Sequence, residues 1–358
     1  MNKTKALTTQ TETAPLAILN NIMQQAGKAA NKSAARHSFK DHTSRKADNT
    51  IRRKRADLAL FESFLQSVNI PACDLFDKPQ AWRGVSWGIV ESFKVWMLQQ
   101  GYAIASINGR LSTVRTFAKL AAQAGAIDPQ ESILIASVQG YANKEVKRID
   151  DKRKADGMNT RKGAKKSAAV IIPEDIAQAL TTEQPNTPQG RRDALLMCLL
   201  LEHGLRVGEI AILTRAAFDL KAGTFTFYRP KVNKTQTHTL TGNTRKAAAA
   251  YLKHDAPADG ILWRKSCKGT GKLSVQMTSA TRALTKRVEL LGRKHGIDGL
   301  SAHDGRHYWA TFEANNGTPI NRLMDAGGWN SSAMPLRYIE ASHIANDGTA
   351  RVNSKGGR

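Results

Sequence analysis

Between residues 143 and 169 the chain reads NKEVKRIDDKRKADGMNTRKGAKKSAA, a stretch with almost no large apolar side chains and a heavy excess of lysine and arginine. Such a segment has little to bury, so it is a poor candidate for any hydrophobic core. The apolar patterns on either side of it must therefore close on themselves and build two cores. Length agrees, because 358 residues exceed the roughly 100–200 residues of one ordinary domain. We expect a basic interdomain linker at 143–172, a first domain at 49–142, a second at 173–345, a basic and partly disordered N-terminal arm at 1–48, and a C-terminal tail at 346–358.

On the N-terminal side the periodicity is helical. In NTIRRKRADLALFESFLQSVN (49–69), Leu58, Phe61, Phe64 and Leu65 share one stripe, while Arg52, Arg53, Lys54 and Arg55 crowd the first turns. WGIVESFKVWMLQQG (87–101) and ASINGRLSTVRTFAKLAAQAG (105–125) are two further amphipathic helices, each closed by a glycine suited to a left-handed cap. The arm carries one weak amphipathic segment at Leu16, Ile18, Leu19, Ile22 and Met23. The second domain opens at PEDIAQAL, with proline at the first helical position and acids behind it. A buried helix at 190–203, a Gly-Leu-Arg turn and the helix RVGEIAIL follow. GTFTFYRP (223–230) then alternates as a strand does, and THTLTG (237–242) can return antiparallel to it, leaving KVNKTQ as the hairpin tip. Helical spacing resumes at Ala280, Ala283, Leu284, Val288 and Leu291 and runs through HYWATFEANNG, PINRLMDAG and SSAMPLRYIEAS. The fold class is mainly α with a small antiparallel β-sheet.

Lysine and arginine outnumber the acids 54 to 30, a net charge of +24. That excess calls for a polyanionic partner, nucleic acid first. A membrane is the competing partner, but the longest apolar run, ALLMCLLL (194–201), is far shorter than the roughly 20 residues that span a bilayer. No secretory signal pattern opens the chain. Cys73, Cys198 and Cys267 show no paired spacing, so neither a disulfide framework nor a zinc site is expected and a cytoplasmic location is the simplest.

Three islands hold the residues that could do chemistry. HGLRVGEI places Arg206 at the mouth of a helix with Glu209 one turn on, where a carboxylate could orient the guanidinium. SAHDGRHYWAT sets His303 and Arg306 three apart, on one face if helical. LMDAGGWNSSAMPLRYIEAS carries Trp329 and, nine positions on, Tyr338. Singly each has a bland reading: a surface charge, a solvated pair, a core tyrosine. Together they make a phosphodiester chemistry. Two arginines can fork the non-bridging oxygens as phosphorus becomes pentacoordinate; a histidine can move a proton, an indole N–H can donate, and a phenol oxygen can attack. The acids near these islands stand singly, so no metal and no other cofactor is called for.

In order and spacing these residues resemble the tyrosine recombinases, the lambda-integrase family, whose box of Arg, His-x-x-Arg, His or Trp, and Tyr is matched by Arg206, His303-x-x-Arg306, Trp329 and Tyr338. The resemblance covers 173–345 and extends more loosely to the helical domain 49–140. It implies a two-domain C-shaped clamp on DNA and a site-specific recombinase working through a 3′-phosphotyrosyl intermediate and a Holliday junction. It also implies a lysine at a β-hairpin tip as general acid, for which Lys231 fits and Lys234 stands close by; Glu209 matches the family's acid after the first arginine. The implied partners are double-stranded DNA with a target site and a homotetramer across two such sites, with or without an accessory DNA-bending protein. Arg52, Arg53, Arg110, Arg115 and Lys234 are the DNA-binding candidates, and the tail 346–358 would dock on a neighbouring protomer. Most relatives have histidine where Trp329 stands, and leucine is frequent where Gly305 precedes Arg306. Two alternatives stay open: a type IB topoisomerase, and a DNA-binding architectural protein without catalysis.

Overall fold

The computed structural model describes residues 13–71, 74–164, 166, 169–267 and 269–342. The first twelve residues, Cys73 and the tail 346–358 lie outside the described residues. Two units make up the chain, 1–167 and 168–358.

The first unit holds α1 (Thr13–Ser44), α2 (Asp48–Ser67), α3 (Trp87–Gln99), α4 (Ile104–Gln123), α5 (Pro129–Ser137) and α6 (Asn143–Ala155). The stripe read from the sequence is its core. Leu58, Phe61, Phe64 and Leu65 of α2 are buried with Val90, Phe93 and Met97 of α3 and Leu111, Val114 and Phe117 of α4. Phe61 and Phe93 meet at 4.9 Å between centroids, and each such buried ring contributes on the order of 1.5–3 kcal/mol. Ser86 caps α3 and Asp128 caps α5 ahead of Pro129; α3 and α4 end just before Gly101 and Gly125, both at positive φ.

The arm expected at 1–48, with its one amphipathic segment, is from Thr13 one long helix whose C-terminal end docks: Phe39 is buried and meets Phe117 edge-on at 5.4 Å. Its alanine and lysine content favours helix, and one well-placed aromatic is enough to anchor it. Likewise, the first half of the expected linker is helix α6. Glu145 accepts from the Ala142 N–H at its start, and Arg153 is buried near its end, bonding Asp150 and the Tyr102 carbonyl. Charged residues with long stems are good helix formers, and a stem can be buried while its head is bonded.

The second unit runs α7 (Glu174–Thr182), α8 (Pro188–Leu201), α9 (Val207–Ile210), β1 (Phe218–Asp219), β2 (Thr224–Arg229), β3 (Lys234–Thr239), α10 (Gly242–His254), β4 (Arg264–Ser266), β5 (Leu273–Met277), α11 (Thr281–Lys294), α12 (Ala302–Asn315), α13 (Ile320–Gly327) and α14 (Ala333–Ser342). Helix α8 is the axis, with every residue from Leu195 to Leu201 buried. At its start Asp193, wholly buried, accepts from Arg192 at 2.6 Å and from Arg287 of α11 at 2.5 and 2.8 Å. Strands β1, β2 and β3 form one antiparallel sheet in that order. The β2–β3 turn is tighter than expected: Lys234 pairs with Arg229 as the first residue of β3 rather than sitting in the tip. A second antiparallel pair, β4–β5, was not foreseen. Pro173 precedes α7 as its N-cap. No helix among the described residues is long and apolar enough to cross a membrane.

Candidate active site

The site is assembled on the C-terminal end of α13. That helix closes with Gly328 in the left-handed region (φ 60°, ψ 51°), and the Gly328 and Trp329 N–H groups return to the Asp325 and Met324 carbonyls. A helix end still leaves carbonyls to satisfy, and three side chains from other elements take three successive ones. Gln236 of β3 donates to Asp325 O at 2.7 Å, Arg229 of β2 to Ala326 O at 2.6 Å, and Arg306 of α12 to Gly327 O at 2.5 Å. Trp329, just beyond, lies over Arg306 with its ring centroid 4.5 Å from the guanidinium carbon.

Arg306 is buried because α12 packs tightly on α8: a Cβ on Gly305 would come within 3.1 Å of Leu200 Cβ. This accounts for the glycine where leucine is common. Arg306 also donates to Gly204 O at 2.5 Å, which fixes the turn that presents Arg206. Asp304 closes the start of α12, accepting from the Ser301 N–H and, through its other oxygen, from the Val170 N–H. His303 and Arg306 are thus one helical turn apart, as the spacing predicts.

Arg206 caps α9, with 23% of its side chain exposed, and its Nη1 donates to Glu209 Oε1 at 2.8 Å. The buried Glu209 also accepts, through Oε2, from the Arg206 N–H and from Arg229 Nη1, both at 2.9 Å. Burial and the proximity of Arg206 and Arg229 lower the pKa of Arg306. Two guanidinium groups, Arg206 and Arg229, therefore share one carboxylate, and a third, Arg306, stands within electrostatic range of all three. The unbalanced positive charge is what a phosphate would neutralise.

Tyr338 of α14 is 4% exposed, and its hydroxyl is buried with no hydrogen-bond partner among the described residues. Burial raises its pKa, while Arg306 and Arg206 act in the opposite direction. The imidazole against it is His307, at 5.0 Å between centroids; His303 lies one ring further, 4.6 Å from His307. Desolvation first holds both histidines below the ordinary value; His307 and Arg306 add to it at His303, while at His307 Asp304 opposes it more than Arg306 adds. On the other side Trp329 meets Tyr338 at 5.7 Å and Trp309 at 6.0 Å. A groove of about 760 Å³ lined by His303, His307, Thr311, Arg337 and Tyr338 opens beside the phenol.

Lys231 is exposed in the β2–β3 turn and makes no polar contact among the described residues, whereas Lys234 is paired with Asp325 at 2.8 Å. In the first unit Arg52 is exposed, and Arg53 lies 3.8 Å from Asp57. The other two groove candidates are held internally: Arg110 stacks on Tyr102 at 4.6 Å, and Arg115 donates to Val138 O at the end of α5. Sequence reasoning missed Arg229 as a member of the site. Its one visible signal is that the inward positions of β2 are Phe225, Phe227 and then Arg229, so alternation aims a charge into the core. No three His, Cys, Asp or Glu side chains among the described residues are gathered as a metal would need.

Comparison with known proteins places residues 170–343 in the phage integrase family. Over 321 residues, 84% of this chain and 86% of the relative, the sequence is 22% identical to the tyrosine recombinase XerC of Roseiflexus sp. (strain RS-1). A shorter stretch of 104 residues is 32% identical to the integrase of Salmonella phage P22, covering 29% of this chain and 23% of that one. In fold the chain is similar to the Tn1549 transposon integrase in complex with transposon right end DNA, with a TM-score of 0.58 and 14% identity over 87% of this chain and 96% of that one. It is also similar to lambda integrase (75–356), a dimer bound to a COC′ core site, with a TM-score of 0.57 and 12% identity over 86% and 94%.

Proposed function

We propose that this chain, whose residues 170–343 match the phage integrase family, is a tyrosine recombinase and that its side chains carry out site-specific DNA recombination. The phenol oxygen of Tyr338 attacks the scissile phosphorus, and the bond to the 5′ oxygen breaks, leaving a 3′-phosphotyrosyl link. The phenol proton passes to His303, with His307 between the two rings. Lys231 protonates the departing 5′ oxygen. Arg206 and Arg306 carry the added negative charge of the pentacoordinate phosphorus, and Trp329 positions the phosphate against Arg306. The 5′ hydroxyl of a partner strand then reverses the step. One phosphodiester is exchanged for another through an ester of similar energy, so the chemistry needs no ATP.

The observation that carries this reading is the Tyr338 hydroxyl, buried and without a hydrogen-bond partner among the described residues, within the electrostatic range of Arg306 and Arg206. A core tyrosine normally finds a partner for its hydroxyl. Its partner here is the phosphate. Double-stranded DNA with a target site is the substrate, and four protomers bridge two such sites through a Holliday junction. The helical first unit is the core-binding domain of this reading, and the Ala-Gly-Gly-Trp and Tyr-Ile patterns give it a finer likeness to Cre. Arg52 and Arg53 are the phosphate contacts we favour in the first unit, because they are not held inside it as Arg110 and Arg115 are.

Incubation with nicked duplex DNA from the sequence flanking the gene tests the reading. A denaturation-resistant protein–DNA adduct forms with the natural protein and is absent from Tyr338→Phe; an adduct that persists in Tyr338→Phe removes the assigned nucleophile. Relaxation of a supercoiled plasmid that lacks the site would favour topoisomerase activity.

A further inference from the structure

Arg229 is the least expected side chain in the second unit. It is fully buried, yet it carries a charge and spends each face of its guanidinium on a different element: Nε on Gln236 of β3, Nη1 on Glu209 of α9 at 2.9 Å, and Nη2 on Ala326 O of α13 at 2.6 Å. Phe227 lies beneath it, 4.7 Å from the guanidinium carbon. The turn after α13 is shaped around it, since a Cβ on Gly328 would come within 2.7 Å of Arg229 Cδ. A packing role alone does not explain this choice. An apolar side chain of similar volume would fill the same space without the cost of desolvating a charge.

The consequence falls on Arg206. Among the described residues its guanidinium has one partner, Glu209, so its aim depends on that carboxylate alone. Glu209 in turn divides its two oxygens: one faces Arg206 Nη1, the other is shared by the Arg206 N–H and Arg229. We propose that Arg229 is a positioning residue of the active site, fixing Glu209 against the C-terminal end of α13 so that the partly exposed Arg206 guanidinium is held ready for the scissile phosphate. The inference rests on the recombinase reading above. Only a planar fork can make the three bonds at once, so lysine cannot substitute.

Single-turnover cleavage tests it on a nicked duplex carrying the crossover sequence found by footprinting, with three versions of the scissile link: the ordinary phosphodiester, a neutral methylphosphonate, and a link with sulfur at the 5′ leaving position. Arg229→Met should cleave the phosphodiester about 100-fold more slowly, the scale of one lost oxyanion donor, with DNA affinity unchanged. On the methylphosphonate the deficit should shrink to about 5-fold or less, because less charge remains for Arg206 to neutralise. Glu209→Gln should show the same substrate signature, and the double variant should be no slower than the worse single one. Arg229→Lys should lie close to Arg229→Met. An equal deficit on all three links overturns the proposal, as does rescue confined to the sulfur link, which would put the defect at Lys231. Failure of both Arg229 variants to fold would make the residue structural and also end it. If the natural protein gives no Tyr338-dependent adduct, the recombinase reading itself fails and takes this inference with it.

Discussion

Among the described residues of the second unit, two buried carboxylates each hold two arginines, and they behave differently. Asp193, at the start of α8, accepts from Arg192 and Arg287, and Arg192 turns its remaining reach to the Arg264 carbonyl. Glu209 accepts from Arg206 and Arg229, but a third guanidinium, Arg306, lies within its electrostatic reach, and Arg306 in turn acts on an unpartnered phenol, Tyr338. Around Asp193 the donors are spent on protein and the cluster fastens α8 to α11. Around Glu209 a residue of positive charge and of hydrogen-bonding capacity is left over. A buried ion cluster is structural when its partners are used up and becomes a site when they are not.

The sharpest break in that comparison is Asp193→Asn. Removing one partner of a buried network leaves charges unpaired, so stability should drop by about 3–5 kcal/mol, read as a lower denaturant midpoint, while the cleavage rate per folded molecule stays unchanged. Arg306→Lys should do the reverse in emphasis: cleavage should slow by about 10²–10³-fold, with DNA affinity measured in parallel to show that binding survives. Gly328→Ala joins the two, because a side chain at positive φ is strained by roughly 1–3 kcal/mol and here would also press on Arg229; both the thermal midpoint and the adduct yield should fall.

Smaller effects sharpen the picture. His203 and His238 lie together beneath the β2–β3 sheet, where burial first lowers their pKa values to about 3 and about 4. A base held neutral in the folded state takes up its proton more readily when unfolded. The stability they contribute is therefore present above pH 6.5 and is lost as pH falls through that value toward about 4 for His238 and about 3 for His203. His238→Asn should flatten the acid side of the denaturation profile between those limits. Lys234→Ala removes an exposed pair with Asp325 and should cost at most about 0.5 kcal/mol; a larger loss of cleavage than Lys231→Ala would move the general acid to Lys234.

What was legible in the sequence was local. Periodicity of 3.6 put Phe61, Phe64 and Leu65 on one stripe and His303 and Arg306 on one face, and an acid three residues after Arg206 was in reach of it. Arg229 was not legible, because its neighbours lie seven, twenty and ninety-seven positions away. The β4–β5 pair escaped for a related reason: RKS is only three residues and polar, and it meets LSVQM only across the intervening loop. Helix α6 and the docked end of α1 were hidden by composition, since lysine-rich segments look solvated until a single residue such as Arg153 or Phe39 finds its place.

By itself the sequence determined two helical cores, a positive charge and the residue types needed to break and remake a phosphodiester, because spacing along a helix and net charge are properties of the chain before it folds. Which of its many arginines face one another was decided only in three dimensions. Three successive carbonyls at the end of α13 collect side chains from β2, β3 and α12, and a helix terminus can bind such groups only after the core has brought them there.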